Sequence, residues 1–416
     1  MIRWAFLALA FAAAFPAAAQ GGGAGDWPEI VSADEATLAD LQRMAVDFPN
    51  SGLIQLRIAQ AGIASDDYPT ARAALWRYLR MGGALSEQGT AFVQTAFDEA
   101  EWALFAARMA ANGSPLDGSR RAGEVPAENG LIEGVAHVPF MDNIVASSVT
   151  ARAIFGRATA GNWERYARER TAADRLVPGS LMGMRYDFER GWLWVASSVV
   201  PQTPNAENAF SGMIGYGPDR NDVLWLATDQ EDQPGDVALG PDGSAYLSGG
   251  GSGAVYVRRV GSVTLEQLIA PGRLRSPQGM EVSPDGSALI IADYSYGLAR
   301  YDFATGALDQ LGHDELVILD GIDGLSRHGD DLIAIRNGVR PHAILRISIN
   351  PAGDTITAVE RLERANPEWG EPTLGAVFDD TLYYIADARW PDYGDDGGLN
   401  DDAAPRATSI RALPLR

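Results

Sequence analysis

The chain has 416 residues, a formal net charge of −22, and neither cysteine nor lysine. Without cysteine there is no disulfide bracing and no thiol chemistry, and without lysine there is no Schiff base and no lysine general base. The acid excess argues against nucleic acid and anionic membranes as partners and favours divalent cations.

Met1-Ile-Arg-Trp4 and the Ala- and Phe-rich run ending at Ala19 form a short apolar core behind one positive charge, with small residues at Ala17-Ala-Ala19. This predicts a cleaved signal peptide over 1–19, a periplasmic or secreted protein, and no membrane span after cleavage. About 400 residues remain, enough for two domains.

Behind a glycine stub, residues 27–113 carry a helical period. Leu38, Leu41, Met44, Ala45 and Phe48 share one face, as do Leu56, Ala59 and Ile63, and then Ala71, Ala74, Leu75, Tyr78 and Leu79. Ser32 with Glu35 reads as a capping box, and Pro49-Asn50 stops the first helix. The turn at Ser65-Asp-Asp-Tyr-Pro69, with small residues at Ala59, Gly62 and Ala71, resembles a tetratricopeptide-type hairpin. A further helix pair is expected between Ser86 and Ala111. This helical domain is either a docking arm for a protein partner or a cap on the β-rich remainder of the chain.

Residues 114–129 are polar, contain Pro and Gly, and read as a linker. From 130 to 416 the pattern becomes short alternating runs. Gly235-Asp-Val-Ala-Leu-Gly-Pro-Asp-Gly-Ser-Ala-Tyr-Leu-Ser-Gly249 is matched by Gln278-Gly-Met-Glu-Val-Ser-Pro-Asp-Gly-Ser-Ala-Leu-Ile-Ile-Ala292. Weaker copies run from Glu133 to Ser148, Met182 to Ser197, Asp323 to Arg336 and Thr373 to Asp387. Six copies of strand, turn and strand, at roughly the 40–50 residues that four strands need, predict a mainly β fold, a six-bladed β-propeller. Asn162 to Asp174 reads as an inserted short helix, and Thr408-Ser-Ile-Arg-Ala-Leu-Pro-Leu415 as a strand completing the outer edge of the last blade.

Inner strands of a propeller begin around one axial opening. That rule gathers Glu133, Met182, Gly235 with Asp236, Gln278, Asp323 and Thr373 in an inner ring. An outer ring holds Ser147-Ser148, Ser197-Ser198, Ser248, Asp293 to Tyr296, Arg336-Asn337 and Asp387 to Trp390. A carboxylate near the axis is costly unless paired or metal-bound. Glu133, Asp323, Asp236 and Gln278 form an all-oxygen set suited to calcium or another hard divalent cation. The alternative is that Asp320 and Asp323 cap turns and Glu133 pairs with an arginine. His137, along the strand from Glu133, is a candidate proton shuttle or else a core histidine. Asn337, Arg340 and His342 could hold a carboxylate or lactone carbonyl, or Arg340 could serve surface ion pairs. Tyr294 and Trp390 are candidates for an aromatic wall, or pack at the rim. The acidic loop from Asp392 to Asp402 lacks EF-hand spacing and reads as a solvated insertion, and no nucleophile elbow, P-loop or dinucleotide fingerprint occurs.

Glu133-Gly-Val, Ser276-Pro-Gln-Gly-Met-Glu-Val-Ser-Pro-Asp-Gly286 and Ile322-Asp-Gly-Leu325 resemble the signatures of the senescence-marker-protein, gluconolactonase and luciferin-regenerating-enzyme superfamily. The resemblance spans about Gly130 to Arg416. It implies a divalent metal held by Glu133, Gln278 (where the family has asparagine) and Asp323, with Asp323 as catalytic base in lactone hydrolysis. Gly235 replaces the family's substrate-contacting asparagine beside Asp236, and Gln233 stands where the family has arginine. The expectation is an exported propeller that hydrolyses a lactone or ester at its mouth. Its rival is a non-catalytic propeller binding a small molecule or protein there, with the helical domain as docking arm.

Overall fold

The computed structural model describes residues 26–30, 36–158, 161–167, 176–229, 232–312 and 316–416. The leader over 1–19 and the Ser32–Glu35 capping box lie outside them. Each helix starts where the sequence supplies an acceptor for otherwise unpaired N–H groups. Thr37 and Asp40 form a reciprocal capping box for α1 (Leu38–Asp47), and Ser51 caps α2 (Gly52–Ala64). Asp67, with Pro69 in the first turn, opens α3 (Tyr68–Arg80). Ser86 and Asp98 cap α4 (Glu87–Gln94) and α5 (Glu99–Asn112). The α2–α3 hairpin closes tightly at Gly62, where a Cβ would stand 3.0 Å from Ala71. Among the described residues, no helix is long and apolar enough to cross a membrane.

Six four-stranded antiparallel sheets come after the helices, so the propeller read from the repeats is present. Blades 1 to 5 occupy 132–165, 180–227, 234–269, 277–310 and 322–364, each built outward from its inner strand in chain order. Blade 6 is different. Its first three strands are Gly375–Phe378, Thr381–Ile385 and Thr408–Pro414, and its outermost strand is Arg120–Val125. The segment read as a linker therefore closes the ring, pairing from Arg120 with Ala412 to Val125 with Thr408. The Thr408 run is the third strand, with Arg120–Val125 outside it. Only Val125 of the closing strand is buried, so no apolar alternation announced it. Trp163–Arg165, inside the stretch read as a helix, is the outer strand of blade 1, and the rest of that stretch from residue 168 lies outside the described residues.

Behind the closing seam lies a fully satisfied polar network. Glu363 is 0% exposed and accepts hydrogen bonds from Ser119 Oγ (2.6 Å), Asn366 Nδ2 (2.5 Å) and the Tyr384 hydroxyl (2.9 Å). Trp369 Nε1 donates to the same hydroxyl at 2.8 Å.

The helical region is packed onto the propeller and shares one apolar core with blades 3 and 4. Phe48 stacks on Tyr296 with ring centroids 4.6 Å apart, and the amide of Ala84 donates to the carbonyl of Arg340 at 2.6 Å. Burying an aromatic ring of that size is worth about 2–3 kcal/mol.

Candidate functional site

Five of the six inner strands lose register with their neighbours at the residues that the axial rule selected. The shifts fall between Ile132 and Gly134, Leu181 and Met184, Pro234 and Val237, Pro277 and Met280, and Ile322 and Gly324. They enclose Glu133, Met182, Asp236, Gln278 and Asp323. A bulge leaves one residue unpaired and re-aims its side chain, which is how a strand running along the axis can turn a carboxylate into the opening. Glycines let the strands close in. A Cβ on Gly183 would stand 2.0 Å from Asp236 Oδ1, one on Gly279 2.4 Å from the Leu325 nitrogen, and one on Gly134 3.2 Å from the Met182 carbonyl. The freed backbone groups find serines. Ser147 Oγ accepts from Gly134 N and donates to the Met182 carbonyl, and Ser248 Oγ accepts from Asp236 N. Ser147 and Ser248 of the outer ring are thus buried struts of the bulges, while the buried Ser197 Oγ accepts from Gly179 N and donates to the Phe210 carbonyl.

Glu133 and Asp323, from blades 1 and 5, do converge. Glu133 is 6% exposed, its Oε2 accepts from Trp390 Nε1 at 2.7 Å, and its carbonyl accepts from Thr373 Oγ1. Burial, and then the charge of Asp323, hold its carboxyl well above the ordinary range; Glu371 and Asp236 add to the effect. Asp323 Oδ2 accepts from Asn337 Nδ2 at 2.8 Å, and Asn337 Oδ1 accepts from the Tyr294 hydroxyl at 3.0 Å. Burial, with Glu371 and Asp236, pushes Asp323 up to about 7 against the pull of the Asn337 bond. Glu371, in the irregular lead-in to blade 6, is a mouth carboxylate that sequence reasoning missed. Its own carboxyl is raised by burial while Arg340 opposes the rise.

Below this ring the charges are compensated. Arg185, on blade 2, reaches across to donate to the Leu325 carbonyl of blade 5 at 2.6 Å, which makes it a floor to the channel. Its Nη2 lies 3.7 Å from Asp236 Oδ2 and 3.8 Å from Glu281 Oε1. Asp236 is raised by burial to about 6 and Glu281 to about 7, with Arg185 the largest opposing influence on each. Asp236 Oδ2 is buried without a hydrogen-bond partner.

The two departures at Gly235 and Gln278 fit one another. A Cβ on residue 235 would stand 2.8 Å from Gln278 Oε1, so the longer amide occupies the space that a side chain on residue 235 would need. Gln278 Nε2 is held by Ser276 Oγ at 3.1 Å.

Other selected residues sit elsewhere or act otherwise. His137 ends the inner strand, four residues and about 13 Å of extended chain from Glu133. Its ring stacks between Phe188 and Phe378, with centroids 5.1 and 3.4 Å away, and neither ring nitrogen has a partner. It is therefore neither at the mouth as a shuttle nor a hydrogen-bonded core histidine. His342 is buried, and burial beside Arg340 and Arg336 pushes its imidazole down to about 3, so it stays neutral. Arg336 is also interior, donating to the carbonyls of Ile318 and Pro341. Arg340 is exposed at the rim near Glu371. Tyr294 and Trp390 spend their polar atoms holding Asn337 and Glu133.

Among the described residues, no three Asp, Glu or His side chains form a ready metal-ligand group. What the mouth offers is Glu133, whose proton affinity Asp323 raises, with the amide of Asn337 bonded to Asp323. That set is all oxygen, no arginine is among the influences on Glu133 or Asp323, and the buried Asp236 Oδ2 below has no hydrogen-bond partner, so it fits a hard cation.

No family model and no curated protein matches this sequence. Solved structures of similar shape include a calcium-binding regucalcin from Agrobacterium tumefaciens, 17% identical with TM-score 0.46, covering 70% of this chain and 93% of that one. A gluconolactonase from Xanthomonas campestris is 15% identical with TM-score 0.45, covering 72% of this chain and 96% of that one. Virginiamycin B lyase from Staphylococcus aureus is 13% identical with TM-score 0.44, covering 70% and 98%. From its own strand order, the chain is a six-bladed β-propeller preceded, among the described residues, by five α-helices.

Proposed function

We propose that this is an exported hydrolase that opens a small lactone or ester at the axial mouth, with a divalent cation such as calcium bound there. One observation supports the reading: the bulges that carry Glu133 and Asp323, 190 positions apart in sequence, set Asp323 close enough to raise the Glu133 carboxyl, and no arginine is among the influences on either. Glu133 and Asp323 would hold the ion, with an amide oxygen from Gln278 or Asn337. A bound cation would polarise a carbonyl and keep both carboxylates ionised. Asp323, kept ionised by the ion, is suited to take the proton of an attacking water. Asn337 and Tyr294 fix the carboxylate's orientation, Trp390 fixes Glu133, and the Arg185 floor keeps the ligand in the upper half of the channel. Arg340 at the rim suits the carboxylate product.

The test is calcium-dependent hydrolysis of lactones and aryl esters by the purified protein beside Asp323→Asn. Loss of turnover with chelator and with the substitution supports the reading. Turnover indifferent to both overturns it.

The Gly235 and Gln278 exchange favours a second reading, a propeller that binds a ligand at the same mouth without turning it over. A chelator that lowers the melting temperature of a protein inert toward every lactone and ester tried would select it.

A further inference from the structure

One of the bonds linking the helical region to the propeller lies three residues before Asp323. Asp320 is 0% exposed, and its carboxylate is received by the N-terminus of α2. Gly52 N donates to Oδ1 at 2.9 Å, while Ser51 Oγ (2.7 Å) and Leu53 N (2.8 Å) donate to Oδ2. Unpaired amides and the helix dipole make that terminus a natural seat for an anion. Gly52 permits the approach, since even a Cβ there would stand 3.0 Å from Ile318.

The segment so held, 318–321, is also the backing of the mouth. Gly321 N donates to the Tyr294 carbonyl at 2.7 Å, and the Gly321 carbonyl accepts from the amides of Asn337 and Gly338, both at 3.0 Å. Gly338 lies against both neighbours, for a Cβ there would stand 2.6 Å from Gly321 Cα and 2.7 Å from the Tyr294 ring. The Tyr294 hydroxyl then holds Asn337, and Asn337 holds Asp323. A continuous series of bonds thus runs from α2 through Asp320, Gly321, Asn337 and Tyr294 to Asp323.

We infer that Asp320 is a positioning residue through which the helical region sets the geometry of the mouth, so that those helices are part of the site and not an appendage. This rests on the cation reading for its functional consequence but not for its geometry, and the experiment separates the two. In the full chain, Asp320→Ala is compared with Asp320→Asn, which keeps an acceptor oxygen, and with Asn112→Ala. Asn112 bonds only within the helical region, to the carbonyls of Leu79 and Gly83, and serves as the control for general loosening.

Terbium luminescence reports the mouth, and crystal structures report the Asn337–Asp323 contact. Asp320→Ala is expected to weaken terbium binding at least tenfold and to break that contact, with Asp320→Asn recovering most of both. Asn112→Ala is expected to lower the melting temperature while leaving binding unchanged. If wild type binds no terbium, the cation reading fails, and the crystal structures alone decide the positioning role. An intact Asn337–Asp323 contact in Asp320→Ala, or equal losses in Asp320→Ala and Asn112→Ala, overturns the inference.

Discussion

Two buried glutamates, one on an outer strand and one on an inner strand of the ring, have opposite surroundings. Glu363 takes three donors and is wrapped by Ser119, Asn366 and Tyr384. Glu133 takes one side-chain donor, Trp390, and faces Asp323, Glu371 and Asp236. Burial of a carboxylate is therefore no sign of function by itself. What distinguishes the mouth is a carboxylate surrounded by its own kind, an arrangement that costs stability.

That contrast can be broken in four ways, the largest effect first. Asp323→Asn is expected to reduce lactone or ester turnover by about 10²–10⁴-fold with the fold retained, the range for losing a general base; an unaffected rate would remove Asp323 from the chemistry. Glu363→Ala strands three donors and should cost about 3 kcal/mol in denaturant unfolding, whereas Glu133→Gln in metal-free protein should be neutral or stabilising. Equal destabilisation by the two would erase the distinction.

The third is pH. In the folded protein Asp323 and Glu281 titrate near 7 and Asp236 near 6, against about 4 for unfolded carboxylates. The folded state keeps protons that the unfolded chain has already released. Their stabilising contribution is present below pH 4 and disappears as pH rises through 6 to 7, at ~1.4 kcal/mol per pH unit for each carboxylate in transition. Metal-free protein should melt higher at pH 5 than at pH 8, and saturating calcium should flatten the difference; a higher melting temperature at pH 8 without calcium contradicts it. The smallest effect belongs to Gln278→Asn, which shortens the amide where Gly235 leaves room. It should change cation affinity by a few-fold in calorimetry while barely moving stability.

The ring architecture was legible because strand, Pro-Asp-Gly turn and strand recur at fixed spacing, and the bulge residues were legible because they stand at the same phase of each repeat. Glu371 escaped because it precedes the regular part of blade 6, where the repeat is weakest. Asp320 read as an ordinary residue before glycine, and nothing local announces a partner 268 positions earlier in α2. Arg120–Val125 escaped for a related reason: a mostly exposed outer strand carries little apolar pattern, and its partner is near residue 410. His137 is the reverse case: it is close to Glu133 in sequence, but an extended strand carries it to the far end of Ile132–His137.

The seam in blade 6 makes the molecule behave like an arch. Blades 1 and 5, which carry Glu133 and Asp323, flank the one blade whose strands come from both ends of the described propeller. Until the Thr408–Pro414 strand is laid beside Arg120–Val125, the two halves of the mouth belong to an open horseshoe. The proposed cation site would accordingly form all at once, with the last stone in place, and under that proposal cation capture would gauge whether the ring has shut.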